Sequence, residues 1–335
     1  MATIPLIRTS LLLRFTDFLD QVGVPTVKWM ERSPLSPALL NHPEGLLPIV
    51  QASALIEQIA RAEGIDTLGL IVGQRTQAQN LGDYGLLLSR SLTLYDLLLT
   101  LERTINLLNS GERVRLFWQE DAVWLQSHLY AIAKNDAPQS HYFSLMTHLS
   151  MIRMALGHQW KPPAVQIAIK PNQAIAMLTD LEGVHVQYDT LYNGIKIPKA
   201  LLNVPLASHH QAANPPSPND NQLYTSAPAS DLVESLRQFI AALLPQGYPD
   251  IALAAEAAGL SIRSLQRRLA ASGLNYGAVV EQVRFKLAVQ YLQDPTLKLT
   301  HIAAELGYTD AANFTRAFKR WTGLSPRAYR LLSRG

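Results

Sequence analysis

Residues 300–323 read THIAAELGYTDAANFTRAFKRWTG. The pattern predicts a short helix over 300–306, a stop at Gly307, and a second helix over 311–321. On that second helix Phe314, Phe318 and Trp321 share one stripe, which leaves Asn313, Thr315, Arg316, Lys319 and Arg320 for the outside. Helix, glycine turn, helix is how a helix-turn-helix is written in sequence. The theme occurs twice. Residues 254–259 (AAEAAG) answer residues 302–307 (IAAELG) at an offset of 48, and Leu265 and Leu269 answer Phe314 and Phe318 at an offset of 49. In this earlier copy Asp250 caps a helix over 251–258, Gly259 breaks it, and Ser261 caps another running to about 272. There Leu265 and Leu269 point inward, while Arg263, Ser264, Gln266, Arg267 and Arg268 remain outside.

A helix-turn-helix lays its second helix in the major groove of DNA and braces the first on the backbone. The second helix must therefore be apolar within and polar or basic without, and both copies obey. Arginine and the side-chain amides can bond guanine and adenine edges in pairs, and Thr315, Ala311 and Ala312 suit thymine methyl groups. A longer helix over 276–292 separates the copies, with Tyr276, Val280, Val283, Leu287 and Tyr291 on one face. At about 17 residues it spans roughly 25 Å. That suits two recognition helices set near one DNA turn apart, about 34 Å. A further helix over 231–244 carries Leu232, Leu236, Phe239, Ile240 and Leu243 behind a Ser230/Asp231 cap, and a last one opens at Ser325-Pro326.

Charge follows the same division. Residues 231–335 hold 13 Lys and Arg against 8 Asp and Glu, a balance of +5; subtraction from the totals of 29 and 26 leaves 16 against 18, or −2, for residues 1–230. Only the C-terminal part carries the footprint expected for a polyanion partner. The chain has 335 residues, 48% of them apolar and 16% charged, which is enough for two folded domains. It has no Cys. Disulfides, thiolate zinc sites and a Cys nucleophile are thereby excluded, and a reducing compartment fits. The apolar run at residues 11–13 is cut by Arg14 and Asp17 with no cleavage signal after it, and no stretch is long and apolar enough to span a bilayer. A soluble cytoplasmic protein with no membrane partner is expected.

The clearest boundary is residues 207–230, ASHHQAANPPSPNDNQLYTSAPAS, rich in Pro, Asn and Ser and without apolar periodicity. This reads as an exposed linker between a domain over 1–206 and a DNA-binding domain over 231–335. His209 and His210 within it read as solvated linker residues, not a metal site. Residues 1–110 are helical in pattern; over 91–108 Leu94, Leu97, Leu98, Leu101, Ile105 and Leu108 share a face. Strands are expected over 114–118 and 122–129 as a hairpin, and over 165–170, 184–189 and 194–197, with helices over 140–156 and 173–181 between. The fold class is an α+β N-terminal domain, helices plus a small sheet, followed by an all-α domain with two helix-turn-helix units.

The run from Gly307 to Pro326, followed by Tyr329-Arg330, closely resembles the signature of the arabinose-regulator (AraC) family of transcription regulators; Leu265-Gln266-Arg267 and Gly273 match that family's first unit. The resemblance implies that Arg263, Gln266, Arg267, Asn313, Thr315 and Arg316 face the groove, and that Phe314, Phe318 and Gly307 are structural. Ser264, Lys319 and Arg320 join the DNA-binding set as outward neighbours. Leu269 departs from the family, where an aromatic is frequent. The N-terminal part resembles the effector domain of the ornithine-utilisation regulator subgroup, often labelled arabinose-binding-like, through Leu68-Gly69-Leu70, Gly82-Asp83-Tyr84-Gly85 and Ser91-Leu92-Thr93-Leu94. Its helical first hundred residues are unlike the β jelly roll of sugar-binding regulators, so sugar binding is not implied.

The resemblance further implies double-stranded promoter DNA and RNA polymerase as partners, an activator's role, and an N-terminal domain that senses a small molecule, forms a homodimer, or both. Trp118, Trp124, His141, Tyr142, His148, Arg153 and Tyr188 are candidate pocket residues, but for each an ordinary core or surface role outweighs a pocket role, so none is assigned to an effector. No cofactor, metal or catalytic residue is expected. His141 and His148, seven apart, lack a third ligand. Two rival classes are an architectural DNA protein without effector control and an enzyme with a DNA-binding tail. The large N-terminal domain argues against the first. Against the second stands the lack of an acceptor Cys, a phosphate-binding glycine loop, a zinc-protease helix or a nucleophile elbow.

Overall fold

The computed structural model describes residues 3–132, 136–171, 181–206 and 218–332, the side chains of 218–221 excepted. Sixteen consecutive positions near the N-terminus set the frame. Strand β1 (Leu6–Arg8) runs into helix α1 (Thr9–Gln21), and β1 pairs antiparallel with β2 (Leu46–Pro48), Ile7 opposite Leu47. Between them lies α2 (Thr26–Glu31). Then come α3 (Ile49–Ala62), α4 (Leu68–Arg75), α5 (Gly82–Ser89) and α6 (Leu94–Leu108). The α6 stripe expected from the sequence is buried at every position, and Thr93 caps the helix by accepting from the Asp96 N–H at 3.3 Å.

The small sheet follows. Hairpin β3 (Glu112–Trp118) and β4 (Ala122–Leu129) joins β5 (Ala164–Gln166), β6 (His185–Gln187) and β7 (Asn193–Pro198) in the order β3-β4-β7-β5-β6. All pairs are antiparallel except β5 with β6. The expected strands over 165–170 and 184–189 shrink to three residues each; beyond the ladder the segments stay joined by the Ile167 N–H to the Gln187 carbonyl at 2.8 Å and the Asp189 N–H to the Ile169 carbonyl at 3.0 Å, and Asp189 turns the chain at φ 57°. Helix α7 (Pro138–Leu156) crosses the sheet and is buried along most of its length. The helix expected over 173–181 falls almost wholly outside the described residues.

The stretch read as an exposed linker is different where it is described. Residues 207–217, with His209 and His210, lie outside the described residues, but Pro218–Thr225 forms helix α8, with Leu223 buried. Arg8, itself fully buried, holds this helix to the N-terminal domain. Its Nη2 donates to the Leu223 carbonyl at 2.7 Å, Nε to the Leu107 carbonyl at 2.8 Å, and Nη1 to Glu44 Oε2 at 3.1 Å and Ser226 Oγ at 3.2 Å. A buried guanidinium is tolerable only with its donors paired.

The remaining helices are α9 (Leu232–Leu243), α10 (Ile251–Ala257), α11 (Ile262–Ala271), α12 (Tyr276–Gln293), α13 (Leu299–Glu305), α14 (Ala311–Thr322) and α15 (Pro326–Leu332). Helix α9 packs on β2, and the Ile4 N–H donates to Ser235 Oγ at 3.0 Å. One apolar core therefore runs from Ile4 through the sheet to Val283, whereas Ala288, Leu292, Ile302, Leu306, Phe314 and Phe318 form a second core. Helix α12 serves both. It buries Tyr276, Val279, Val280 and Val283 early and Ala288 and Leu292 late, so its buried face rotates and Leu287 and Tyr291 end half-buried, off the single stripe expected. Among the described residues no helix is long and apolar enough to cross a membrane.

Candidate nucleic-acid interface

Both helix-turn-helix units form where the caps and glycines placed them. Asp250 accepts from the Ala252 N–H at 2.9 Å to open α10, and Gly259 ends that helix at φ 62°. Ser261 then accepts from the Ser264 N–H at 3.2 Å to open α11. In the second unit α13 ends before Gly307 at φ 70°, and Asp310 accepts from the Asn313 N–H at 2.7 Å to open α14. Each cap contributes about 0.5–2 kcal/mol. Asn275 opens the connecting α12 in the same way, at 2.8 Å from the Ala278 N–H.

The second helix of each unit is divided as a groove reader must be. Leu265 and Leu269 on α11, and Phe314 and Phe318 on α14, are each 0% exposed. The second unit fills its interior with rings: Phe318 meets Phe314 at 5.8 Å, Tyr329 at 5.3 Å and Trp321 at 6.3 Å between centroids. Trp321 is half-buried against this core. On the opposite faces Arg263, Gln266 and Arg267 of α11 and Arg316, Lys319 and Arg320 of α14 are exposed.

Three of the expected contact residues are half-buried and already engaged. Ser264 Oγ accepts from Ser261 Oγ at 3.0 Å, and Thr315 Oγ1 donates to the Ala311 carbonyl at 2.7 Å. Asn313 donates to Asp310 Oδ2 at 2.8 Å and accepts from Arg316, so the amide and guanidinium form one linked pair. Arg320 binds Glu281 of α12 at 2.6 Å. That ion pair joins residues far apart in sequence, and no local pattern announced it.

The relation between the two units is fixed by Arg284 of α12, which the sequence reading passed over. Its Nε and Nη2 donate to the carbonyls of Leu306 and Gly307, both at 2.9 Å, closing the end of α13. The guanidinium lies 4.3 Å from the Tyr308 ring centroid in the second unit and 5.4 Å from that of Tyr248 in the first. Gly307 backs directly onto the first unit: a Cβ there would lie 2.5 Å from the Leu244 carbonyl oxygen and 2.6 Å from that of Gly247. Only glycine allows that approach.

Of the candidate pocket residues in the N-terminal region, Trp124, His141 and Tyr142 are core, Trp118 is exposed, and Arg153 and Tyr188 are half-buried. Among the described residues no group of three or more His, Cys, Asp or Glu side chains is arranged to hold a metal.

The family model for the arabinose-binding N-terminal domain of AraC transcription regulators matches residues 23–206, and a helix-turn-helix domain model matches residues 254–331. The ornithine utilization regulator of Pseudomonas aeruginosa is 26% identical over 323 residues, covering 94% of this chain and 93% of that protein. The transcriptional regulator VirS of Mycobacterium tuberculosis is 24% identical over 345 residues, covering 97% and 96%. Among solved structures, the transcriptional regulator CdpR from Pseudomonas aeruginosa aligns over 95% of this chain and 96% of its own, at 23% identity and a TM-score of 0.40.

Proposed function

The chain belongs to the AraC family of DNA-binding transcription regulators, and from that premise we propose that it is a sequence-specific activator with one chain reading two successive major grooves. Residues 231–335 are the DNA-binding domain, 1–206 the effector and dimerisation domain, and 207–230 the connector. Arg263, Ser264, Gln266, Arg267, Asn313, Thr315, Arg316, Lys319 and Arg320 are its DNA contacts. The observation that carries this reading is the duplicated second helix, fully buried on one side and basic on the other. Phosphate contacts then give most of the affinity, and the arginines and amides select bases. Thr315 reads through its methyl group, since its hydroxyl is spent on the helix.

The activator's role, the contact with RNA polymerase and the cytoplasmic location rest on the family resemblance. Homodimerisation through the N-terminal domain gains support from an exposed aromatic patch at the edge strand β3. Trp118 and Tyr95 are 45% and 42% exposed there with their rings 6.1 Å apart, and Phe117, 54% exposed, lies on the opposite face of the strand. No catalytic step belongs to this reading.

The test is a gel-shift titration on the promoter region the protein protects in footprinting. Arg267→Ala and Arg316→Ala should each weaken binding roughly 5- to 150-fold, the equivalent of about 1–3 kcal/mol per lost base contact, with unfolding curves unchanged. Binding unaltered in both variants would refute the docking. Discrete protected sites are expected; uniform coating of the DNA would mark an architectural protein instead.

A further inference from the structure

The N-terminal domain holds a half-open pocket of about 70 Å³ between α1, α3, α6 and α7. An apolar cavity of roughly 150 Å³ takes benzene, so there is room here for a molecule of about four heavy atoms. Most of the wall is apolar, with Leu11, Phe15, Ile56, Ile105, Phe143 and Met151 around it. One part is not. Glu112, at the start of β3, lines the cavity with Asn109, Ser144, Thr147 and His148.

The hydrogen bonds there are nearly complete, and what is missing is informative. Glu112 Oε1 accepts from Ser127 and from Ser144 Oγ, the latter at 2.7 Å, and Oε2 accepts from Asn109 Nδ2 at 3.1 Å. A carboxylate offers about four acceptor positions, so one on Oε2 stays open. The Thr147 hydroxyl is buried without a partner, a condition that costs about 1–3 kcal/mol. His148 stands 3.8 Å from Glu112 Oε1, beyond a hydrogen bond, and its Nδ1 lies 3.5 Å from Ser144 Oγ. Burial pushes its imidazole below the usual range against the opposing pull of Glu112, so it is neutral near pH 7.

Building on the reading of residues 1–206 as an effector domain, we infer that this cavity is the effector site, and that it takes a compact apolar molecule carrying one hydrogen-bond-donating head, a hydroxyl or an ammonium. The head donates to Glu112 Oε2 and meets the Thr147 hydroxyl, while the body replaces empty space among the aliphatic side chains. An anionic head would face the Glu112 carboxylate with no cation to offset it. A pentose would bury several hydroxyls against apolar walls at about 1–3 kcal/mol for each one left unpaired. The site therefore selects against the sugar after which the family's domain is named.

Thermal unfolding of the full chain with 1-propanol, n-propylamine, propanoate or L-arabinose at equal concentration tests this. Propanol, propylamine or both should raise Tm by about 2–4 °C near saturation, with no shift from propanoate or arabinose. Propanol acting alone assigns a neutral head, and propylamine alone a cationic one. Ala52→Leu, which fills the cavity, should abolish the shift. Thr147→Val keeps the shape and loses the unpaired hydroxyl; it should raise the Tm of the free protein and shrink the shift. Glu112→Gln should cancel any preference for the amine over the alcohol. A shift from propanoate or arabinose as large as from the donors, no shift from any of the four, or a full shift in both Ala52→Leu and Thr147→Val overturns the site. Promoter binding measured without any probe keeps the two proposals apart, since a protein that binds its promoter but ignores all four compounds loses the site and keeps the regulator.

Discussion

Gly307→Ala and Gly259→Ala form a matched pair, because the two glycines occupy the same turn in the two units with φ of 70° and 62°. Each alanine pays the left-handed backbone penalty of about 1–2 kcal/mol. Their surroundings differ completely. A Cβ at Gly259 meets nothing within 4 Å, whereas at Gly307 it would lie 2.5 Å and 2.6 Å from two backbone carbonyl oxygens of the first unit. Backbone cannot swing aside like a side chain, so the turn must separate from residues 244–247 by several tenths of an ångström. That movement stretches the 2.9 Å bonds from Arg284 to Leu306 and Gly307. Strain and weakened bonds together add about 2 kcal/mol beyond the Gly259 variant, or roughly 4–8 °C in Tm for a chain whose core joins both domains.

Calorimetry of the two variants measures the difference, since the backbone penalty cancels. Footprinting then asks whether the displaced unit still reads its groove: Gly259→Ala should protect both half-sites, and Gly307→Ala should lose the one read by α14 first. Equal melting temperatures within about 1 °C would refute the argument that this glycine locks the two units at a fixed separation.

Other consequences are as direct. Arg8→Met leaves the Leu107 and Leu223 carbonyls without their guanidinium partner; it should cost about 3–5 kcal/mol in urea denaturation and speed proteolysis within 218–226. Glu281→Ala frees Arg320 from a bridge whose side chains are 65% and 52% exposed, so stability should change by less than about 1 kcal/mol. Promoter affinity should rise, and the salt dependence of binding should steepen by about one phosphate contact. His148 has a folded pKa below its unfolded value of 6.5. Below that pH the unfolded chain binds a proton that the folded chain refuses, so stability is full above pH 6.5 and falls as the pH drops. His148→Gln should flatten that part of the profile between pH 7.5 and 5.5, and an unchanged slope would show that His148 is not held neutral.

The C-terminal domain was legible because its determinants are local. Asp250, Ser261 and Asp310 each cap the helix that begins immediately after, Gly259 and Gly307 end the helix immediately before, and the apolar stripes follow one helical period. The α6 stripe belongs to the same class. What the sequence hid depends on partners far along the chain. Arg8 is an ordinary basic residue until its donors meet Glu44, Leu107, Leu223 and Ser226. The three-residue strands β1 and β2 are too short for a period to show. In the proline-rich segment, composition outweighed the single apolar anchor Leu223. Along α12 two cores demand two faces, which cancels the stripe a simple amphipathic helix would show. For the DNA contacts, residue type was readable but engagement was not, since Asn313, Thr315 and Arg320 are each tied to a neighbour that only the fold supplies.

Strand β1 ties these levels together. Within five residues, Ile4 donates to Ser235 on α9, Ile7 lines the cavity, and Arg8 grips α8. Its partner β2 packs on α9, and Ile49, directly after β2, lines the cavity from the other side. Helix α9 in turn shares its core with α10, α11 and the first half of α12. A molecule that moves Ile7 or Ile49 therefore acts on a two-stranded ribbon packed on α9, whose core the first helix-turn-helix unit shares, while the second unit has its own aromatic core and is joined to the first through α12 and the Arg284 clamp. If occupancy of the cavity alters promoter binding, the half-site read by α11 should respond in a protein whose clamp is weakened by Arg284→Met, and the half-site read by α14 should not. A footprint in which both half-sites of that variant respond equally would mean that the signal reaches DNA by a route other than this ribbon.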